Sequence, residues 1–208
     1  MKKTLAGICN SCPLCSYARK NPDAFIGKVM HWHGKWCPMW KAWDEVYGEG
    51  AVSRVTIKET EPMTVAFINM TGPYAQISES FSKLYDWIEQ KGYQVSGPSL
   101  GIYYNAPGEV PDDKLVWELL SPVADDADPS EPDRYGLGVK RLKTIQVASA
   151  KHKGPYEEVG KTYERLGFWI RQNGYKIAGP SQEVYLSNPE ETAPEELLTE
   201  VMLPIEGQ

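Results

Sequence analysis

Two groups of residues in this chain have the types and spacing to do chemistry. The first is a run of thiols. Cys9, Cys12 and Cys15 are each separated from the next by two residues, and Cys37 follows later. Three thiols so close together can reach one ion, with Cys37 as a fourth ligand. A closed zinc site of four cysteines, or of three cysteines and a histidine, is the first expectation. A four-iron iron–sulfur cluster is the alternative, since a tight triplet plus a remote Cys37-Pro38 pair suits ferredoxin-like ligation. Reduced, unmetallated thiols are the plain alternative. His31 and His33 are two residues apart and cannot share one side of a helix, so at most one joins the set.

The second group is a pair of carboxylates. The stretch "KLVWELLSPV", residues 114–123, reads as a buried strand interrupted by Glu118. Glu200 stands in the same context near the end of the chain. Both have apolar residues two positions away, Val116 and Leu120 for one, Leu198 and Met202 for the other. Pro122 and Pro204 close the two strands. Burial would raise the pKa of such a carboxyl unless a cation or hydrogen bonds compensate. An edge-strand glutamate reaching solvent, or one bonded to a tyrosine, is the bland alternative. Tyr103 and Tyr185 in the preceding strands, with Tyr104 and Trp117, supply aromatic surface. Aromatic rings around a carboxylate suit a flat ligand that is aromatic or cationic. Trp87 and Trp169 read as core residues of helices.

The elements that must position these groups come from a duplication. Residues 72–123 align with 154–205 at a constant offset of 82, without a gap, and 18 of the 52 positions are identical. A unit of this length occurring twice argues for two packed halves, not a solenoid. Each half opens with a β-rich segment, then "GPY" and an amphipathic helix. Ile77, Phe81, Leu84, Tyr85 and Ile88 carry helical spacing in one half; Val159, Tyr163, Leu166 and Ile170 carry it in the other. Gly92 and Gly174 stand where a left-handed C-cap is favoured. Two further strands follow, split by the Pro-rich acidic turns "NAPGEVPDD" and "SNPEETAPEE". The predicted fold class is α+β: two pseudo-symmetric β-α-β-β (SH2-like) repeats with a central groove, joined by the acidic linker 124–136. Residues 1–50 form a separate Cys-rich module expected to bind metal. Residues 51–208 form the repeat domain, with halves at about 53–123 and 137–206. In the N-terminal module Trp32, Trp36, Trp40 and Trp43 have helical spacing, but Gly34 and Pro38 argue against an unbroken helix.

The ordered pattern "GPY…helix…GY…GPS…YY…P…E…P(V/I)", found twice, resembles the GyrI-like family, the effector-binding domain of AraC-type bacterial transcription activators. The resemblance covers about residues 53–206. It implies a ligand groove between two pseudo-two-fold-related halves, faced by a glutamate near the end of the domain. Glu200 matches that position best, and Glu118 is its repeat mate. The second copy departs from the first at Leu186, where the first has Tyr104. Stand-alone members that resemble hydrolases of cyclopropane-containing compounds imply catalytic roles for Glu200 and for Tyr103 or Tyr185.

The predicted ligand-binding set is therefore Glu118, Glu200, Tyr103, Tyr104, Trp117 and Tyr185. The expected function is small-molecule binding, as a sensor or sequestering module. A small-molecule hydrolase is one alternative. A protein inhibitor, as the family's name implies for its founding member, is the other. The charge is uneven: +3 over residues 1–50 and −9 over 51–208, for a net −6. An acidic domain without a helix-turn-helix region before it is not expected to bind DNA directly, although the acidic surface could meet a protein partner. No run of eighteen apolar residues exists, so no membrane span is expected, and the short start reads as neither signal nor anchor. Cytoplasmic location is the expectation.

Overall fold

The computed structural model describes residues 2–21, 24–34, 36–47 and 55–207. Four helices come first: α1 (Lys2–Ser11), α2 (Pro13–Lys20), α3 (Phe25–Gly34) and α4 (Pro38–Tyr47). The break between α3 and α4 falls where Gly34 and Pro38 predict it. Gly34 also lets the Trp40 ring approach, because a Cβ there would sit 2.7 Å from that ring. Trp40 and Trp43 are buried with Cys9, Ala18 and Ala42, and this cluster also takes in Phe168 of the repeat domain. Trp32 and Trp36 are exposed. The expected module boundary at residue 50 lies outside the described residues.

The repeat follows as β1 (Thr56–Glu59), β2 (Met63–Thr71), α5 (Ile77–Lys91), β3 (Leu100–Tyr103) and β4 (Val116–Pro122). It recurs as β5 (Leu137–Leu142), β6 (Gln146–Lys153), α6 (Gly160–Gln172), β7 (Tyr175–Ile177), β8 (Ser181–Tyr185) and β9 (Leu198–Gly207). α5 is capped by left-handed Gly92 at φ 72°, as the spacing predicts; α6 is capped by Asn173 at φ −101°, and left-handed Gly174 at φ 77° follows it. Leu84 and Ile88 of α5, and Leu166 and Ile170 of α6, bury their apolar stripes against the sheet.

The strands form one antiparallel sheet in the order β1-β6-β9-β8-β3-β4-β2-β5, with β7 added on β9. The two halves meet at the β3–β8 seam, where Leu100 pairs with Val184 and Ile102 with Gln182. They are also exchanged at their outer strands. β1 of the first half pairs with β6, and β5 of the second half pairs with β2. These two ladders share one register: Glu59 faces Gln146, and four residues on, Met63 faces Leu142. The turns between them are tied by Thr60 N–H donating to the Ile145 carbonyl at 2.9 Å. β1–β2 and β5–β6 therefore behave as two long bent strands paired on both sides of their bends. Neither half owns a complete sheet.

Strand parity sorts the side chains. Ala66, Ile68, Trp117, Leu119 and Tyr103 face α5 in one core. Val65, Phe67, Leu100, Ile102 and Leu120 form a separate core on the opposite face of the sheet.

Candidate functional site

The predicted ligand set divides between the two faces. Tyr103 and Trp117 are register partners on the helix face. Tyr185 joins them across the seam, and its hydroxyl hydrogen-bonds that of Tyr103. Glu118 pairs with Ile102 and Asn69, so it faces the other side. Glu200 is its mate there, paired with Val184 and Lys151. The expectation of one groove shared by Glu118, Glu200 and the tyrosines is corrected accordingly. Residues adjacent on a strand point to opposite faces, so Trp117 and Glu118, or Tyr103 and Tyr104, cannot line the same site. The hydrolase pairing of Glu200 with Tyr103 or Tyr185 meets the same obstacle.

On their own face the two glutamates are satisfied by lysines of the opposite half. Lys58 Nζ donates to Glu200 at 2.7 Å, and Lys140 Nζ donates to Glu118 at 2.5 Å. Lys58 and Lys140 are repeat mates, so the two pairs are one contact used twice. Ser149 adds a hydroxyl to Glu200. Burial pushes the Glu200 carboxyl up, but the bonds from Lys58 and Ser149 outweigh it and hold the group below the ordinary carboxylate value. Tyr104 lies beside Glu118. Burial, and then that carboxylate's charge, push its hydroxyl up to about 12.

The carboxylate that stands among the aromatics is Glu183. It lies on β8, 8 % exposed, two residues before Tyr185 and on the same face. Tyr163 of α6 donates its hydroxyl to Glu183 Oε1 at 2.8 Å. No lysine or arginine pairs with it among the described residues. Burial raises its pKa, and the Tyr163 bond only partly offsets this. Around it the rings meet edge to face. Tyr74 contacts Tyr103 at 5.1 Å between centroids, and Tyr185 is contacted by Phe81 at 5.7 Å and Tyr156 at 5.9 Å. Tyr74 and Tyr156 are the repeated "GPY" tyrosines, each at the turn leading into its helix. Burial, followed by the Glu183 charge, raises the Tyr74 hydroxyl to about 12 and raises Tyr156 and Tyr185 as well. The site thus lies over the seam, between α5 and α6, with one carboxyl group at its base.

Gly101 is directly opposite Glu183 across the seam and is its repeat mate. A Cβ there would stand 2.8 Å from the Tyr103 ring. Glycine lets that ring lie across the strand and reach Tyr185. At one repeat position, then, one half supplies the charge and the other supplies the space. Reasoning from the repeat misses Glu183 for this reason: its mate is not an acid. The available signal was parity, since Glu183 and Tyr185 share a face of "SQEVY".

Cys9 is buried, whereas Cys12, Cys15 and Cys37 are partly exposed. Burial raises the Cys9 thiol and pushes Cys15 up to about 12. Arg19 Nη1 lies 3.6 Å from Cys9 Sγ. Among the described residues no three His, Cys, Asp or Glu side chains form a group that could hold a metal ion. The side chain of His31 lies outside the described residues, and His33 is exposed. Nor is any helix among the described residues long and apolar enough to cross a membrane.

Comparison with known proteins places residues 53–206 within the GyrI-like small molecule binding domain. A DNA gyrase inhibitor of Erwinia billingiae (strain Eb661) is 28% identical over 142 residues, covering 64% of this chain and 86% of that protein. The DNA gyrase inhibitor of Escherichia coli (strain K12) is 27% identical over 135 residues, covering 64% and 85%. Among solved structures, the EcmrR C-terminal domain superposes with a TM-score of 0.60 at 21% identity, over 74% of this chain and 98% of its own. EcmrR in its DNA complex superposes over 100% of this chain and 77% of its own, with a TM-score of 0.66 and 15% identity. These structural likenesses are likenesses of fold.

Proposed function

The chain belongs to the GyrI-like small molecule binding domain family, and on that premise we propose that it binds a flat, apolar cation in the groove between α5 and α6, as a sensor or sequestering module. The observation that carries this reading is Glu183, a buried carboxylate with aromatic walls and no cationic partner among the described residues. A buried charge without a counter-ion is unfavourable. A cationic ligand would supply the missing charge, and the edge-to-face rings of Tyr74, Tyr103, Tyr156 and Tyr185 offer π faces to it. The test is calorimetric titration of the protein with ethidium, a planar aromatic cation. Glu183→Gln keeps the side chain's size and removes its charge. It is expected to weaken binding about ten- to a hundredfold, the range for a charge-assisted contact. Equal affinity in both proteins would refute the reading.

A second reading is favoured by the relatives named DNA gyrase inhibitor: the repeat domain acts on a protein partner through its acidic surface. Addition of the protein to a DNA supercoiling reaction run by purified gyrase tests it. An unchanged rate at a large excess of the protein would remove this reading.

A further inference from the structure

The opposite face of the seam holds a second concavity that the Glu183 site does not use. Its volume is about 380 Å³, within the range of small-molecule pockets. Met63, Leu100, Leu142, Val184 and Met202 give it apolar walls. Of the polar side chains that line it, Gln182 is the buried one. Gln182 lines the cavity and is only 9 % exposed, and its side-chain amide makes no hydrogen bond among the described residues. The amide atoms are not among the fully buried polar atoms left without a partner, so they still meet solvent, and an occupant that displaces that water must replace its hydrogen bond. An amide left open on an apolar cavity asks for one donor or acceptor from an occupant. The rim sets the charge of that occupant. Glu61 and Lys143 line the mouth, both are exposed, and one acid with one base leaves it without net charge.

We propose that this cavity is a second ligand site, for an uncharged, largely apolar small molecule carrying a single carbonyl or hydroxyl group that bonds the Gln182 amide. It is distinct in charge from the Glu183 site between α5 and α6. Gln182 and Glu183 are neighbours on β8, so the amide faces this cavity while the carboxylate faces the other site. The seam strands β3 and β8 thereby form a wall common to both.

The test uses prodan, an uncharged naphthyl ketone whose emission shifts to the blue in apolar surroundings. The full chain is expected to bind one prodan saturably with a blue shift. Gln182→Leu preserves bulk and removes the amide, and should weaken binding about five- to tenfold, the value of one net hydrogen bond. Ser96 is an exposed residue of the lining, and Ser96→Trp should fill the mouth and abolish binding. Both variants should keep the wild-type unfolding transition, which separates loss of a site from loss of the fold. Absence of saturable prodan binding in the wild type would overturn the proposal. So would equal affinity in Gln182→Leu. Should Ser96→Trp fail to fold, Gln182→Leu decides alone.

Discussion

Removing the charge at Glu183 should stabilise the protein at neutral pH, and the gain should vanish in acid. Glu183 is 8 % exposed and, among the described residues, holds one hydrogen bond, from Tyr163. Its folded-state pKa lies above the ordinary value of 4.5 because burial disfavours the charged form. The folded chain therefore binds this proton more tightly than the unfolded chain does. The stability it contributes is fully present below about pH 4.5. It is lost as pH rises through the raised folded-state value, at up to about 1.4 kcal/mol per pH unit within that window. Glu183→Gln removes this loss while an amide oxygen still accepts from Tyr163. The exchange of a charge-assisted bond for a neutral one returns about 1 kcal/mol of the gain. The net change at pH 7.5 is a rise in stability, read as a higher melting temperature, with each kcal/mol worth about 2–4 °C for a chain of this size. The assay is thermal unfolding followed by circular dichroism, wild type against variant, at pH 4 and pH 7.5 without ligand. A variant less stable than wild type at pH 7.5 would refute the argument that the buried carboxylate is uncompensated. So would the same difference at both pH values.

Three further outcomes are expected. Gly101→Ala should cost about 1–3 kcal/mol, the range for overpacking, since its Cβ would lie 2.8 Å from the Tyr103 ring; an unchanged melting temperature would show that the ring moves freely. A fragment of residues 55–127 lacks β5 and β8, the neighbours of β2 and β3. It should aggregate or unfold without a sharp transition, because both strands become open edges, and a monomeric, cooperative fragment would contradict this. For the cysteines, spacing supports the proposal of about one zinc ion per chain. Elemental analysis of protein purified without oxygen should find it, and Cys12→Ser should release it. Metal-free protein with the same helical signal would refute this, whereas a visible absorption band that bleaches on reduction would point to iron–sulfur.

Much of the site was legible residue by residue, though not as a set. Tyr103 and Tyr185 were found from the repeat because both copies kept the tyrosine. Glu118 and Glu200 are legible the same way, but they are half-buried and lie on the face opposite Glu183. Their lysine partners were not found, because Lys58 and Lys140 lie on strands that cross to the opposite half. Inclusion of both Trp117 and Glu118, or both Tyr103 and Tyr104, in one groove conflicted with the two-residue period of a strand. That conflict was visible in the sequence itself.

The sequence by itself determined the two-fold repeat, the order of strands and helices within it, and the left-handed glycines at the ends of α5 and α6. These follow from local forces: apolar period, backbone conformation and the copying of one unit. Only the tertiary structure decided which acid meets the aromatic rings. That choice depends on register across the β3–β8 seam, where Gly101 faces Glu183, and on the approach of Tyr163 from α6. Both are contacts between residues distant in the chain. Their energy comes from burial and pairing that no local window of sequence contains. The exchange of β1 and β5 between the halves has the same origin: each strand buries its edge against the other half, where an unpaired ladder was waiting.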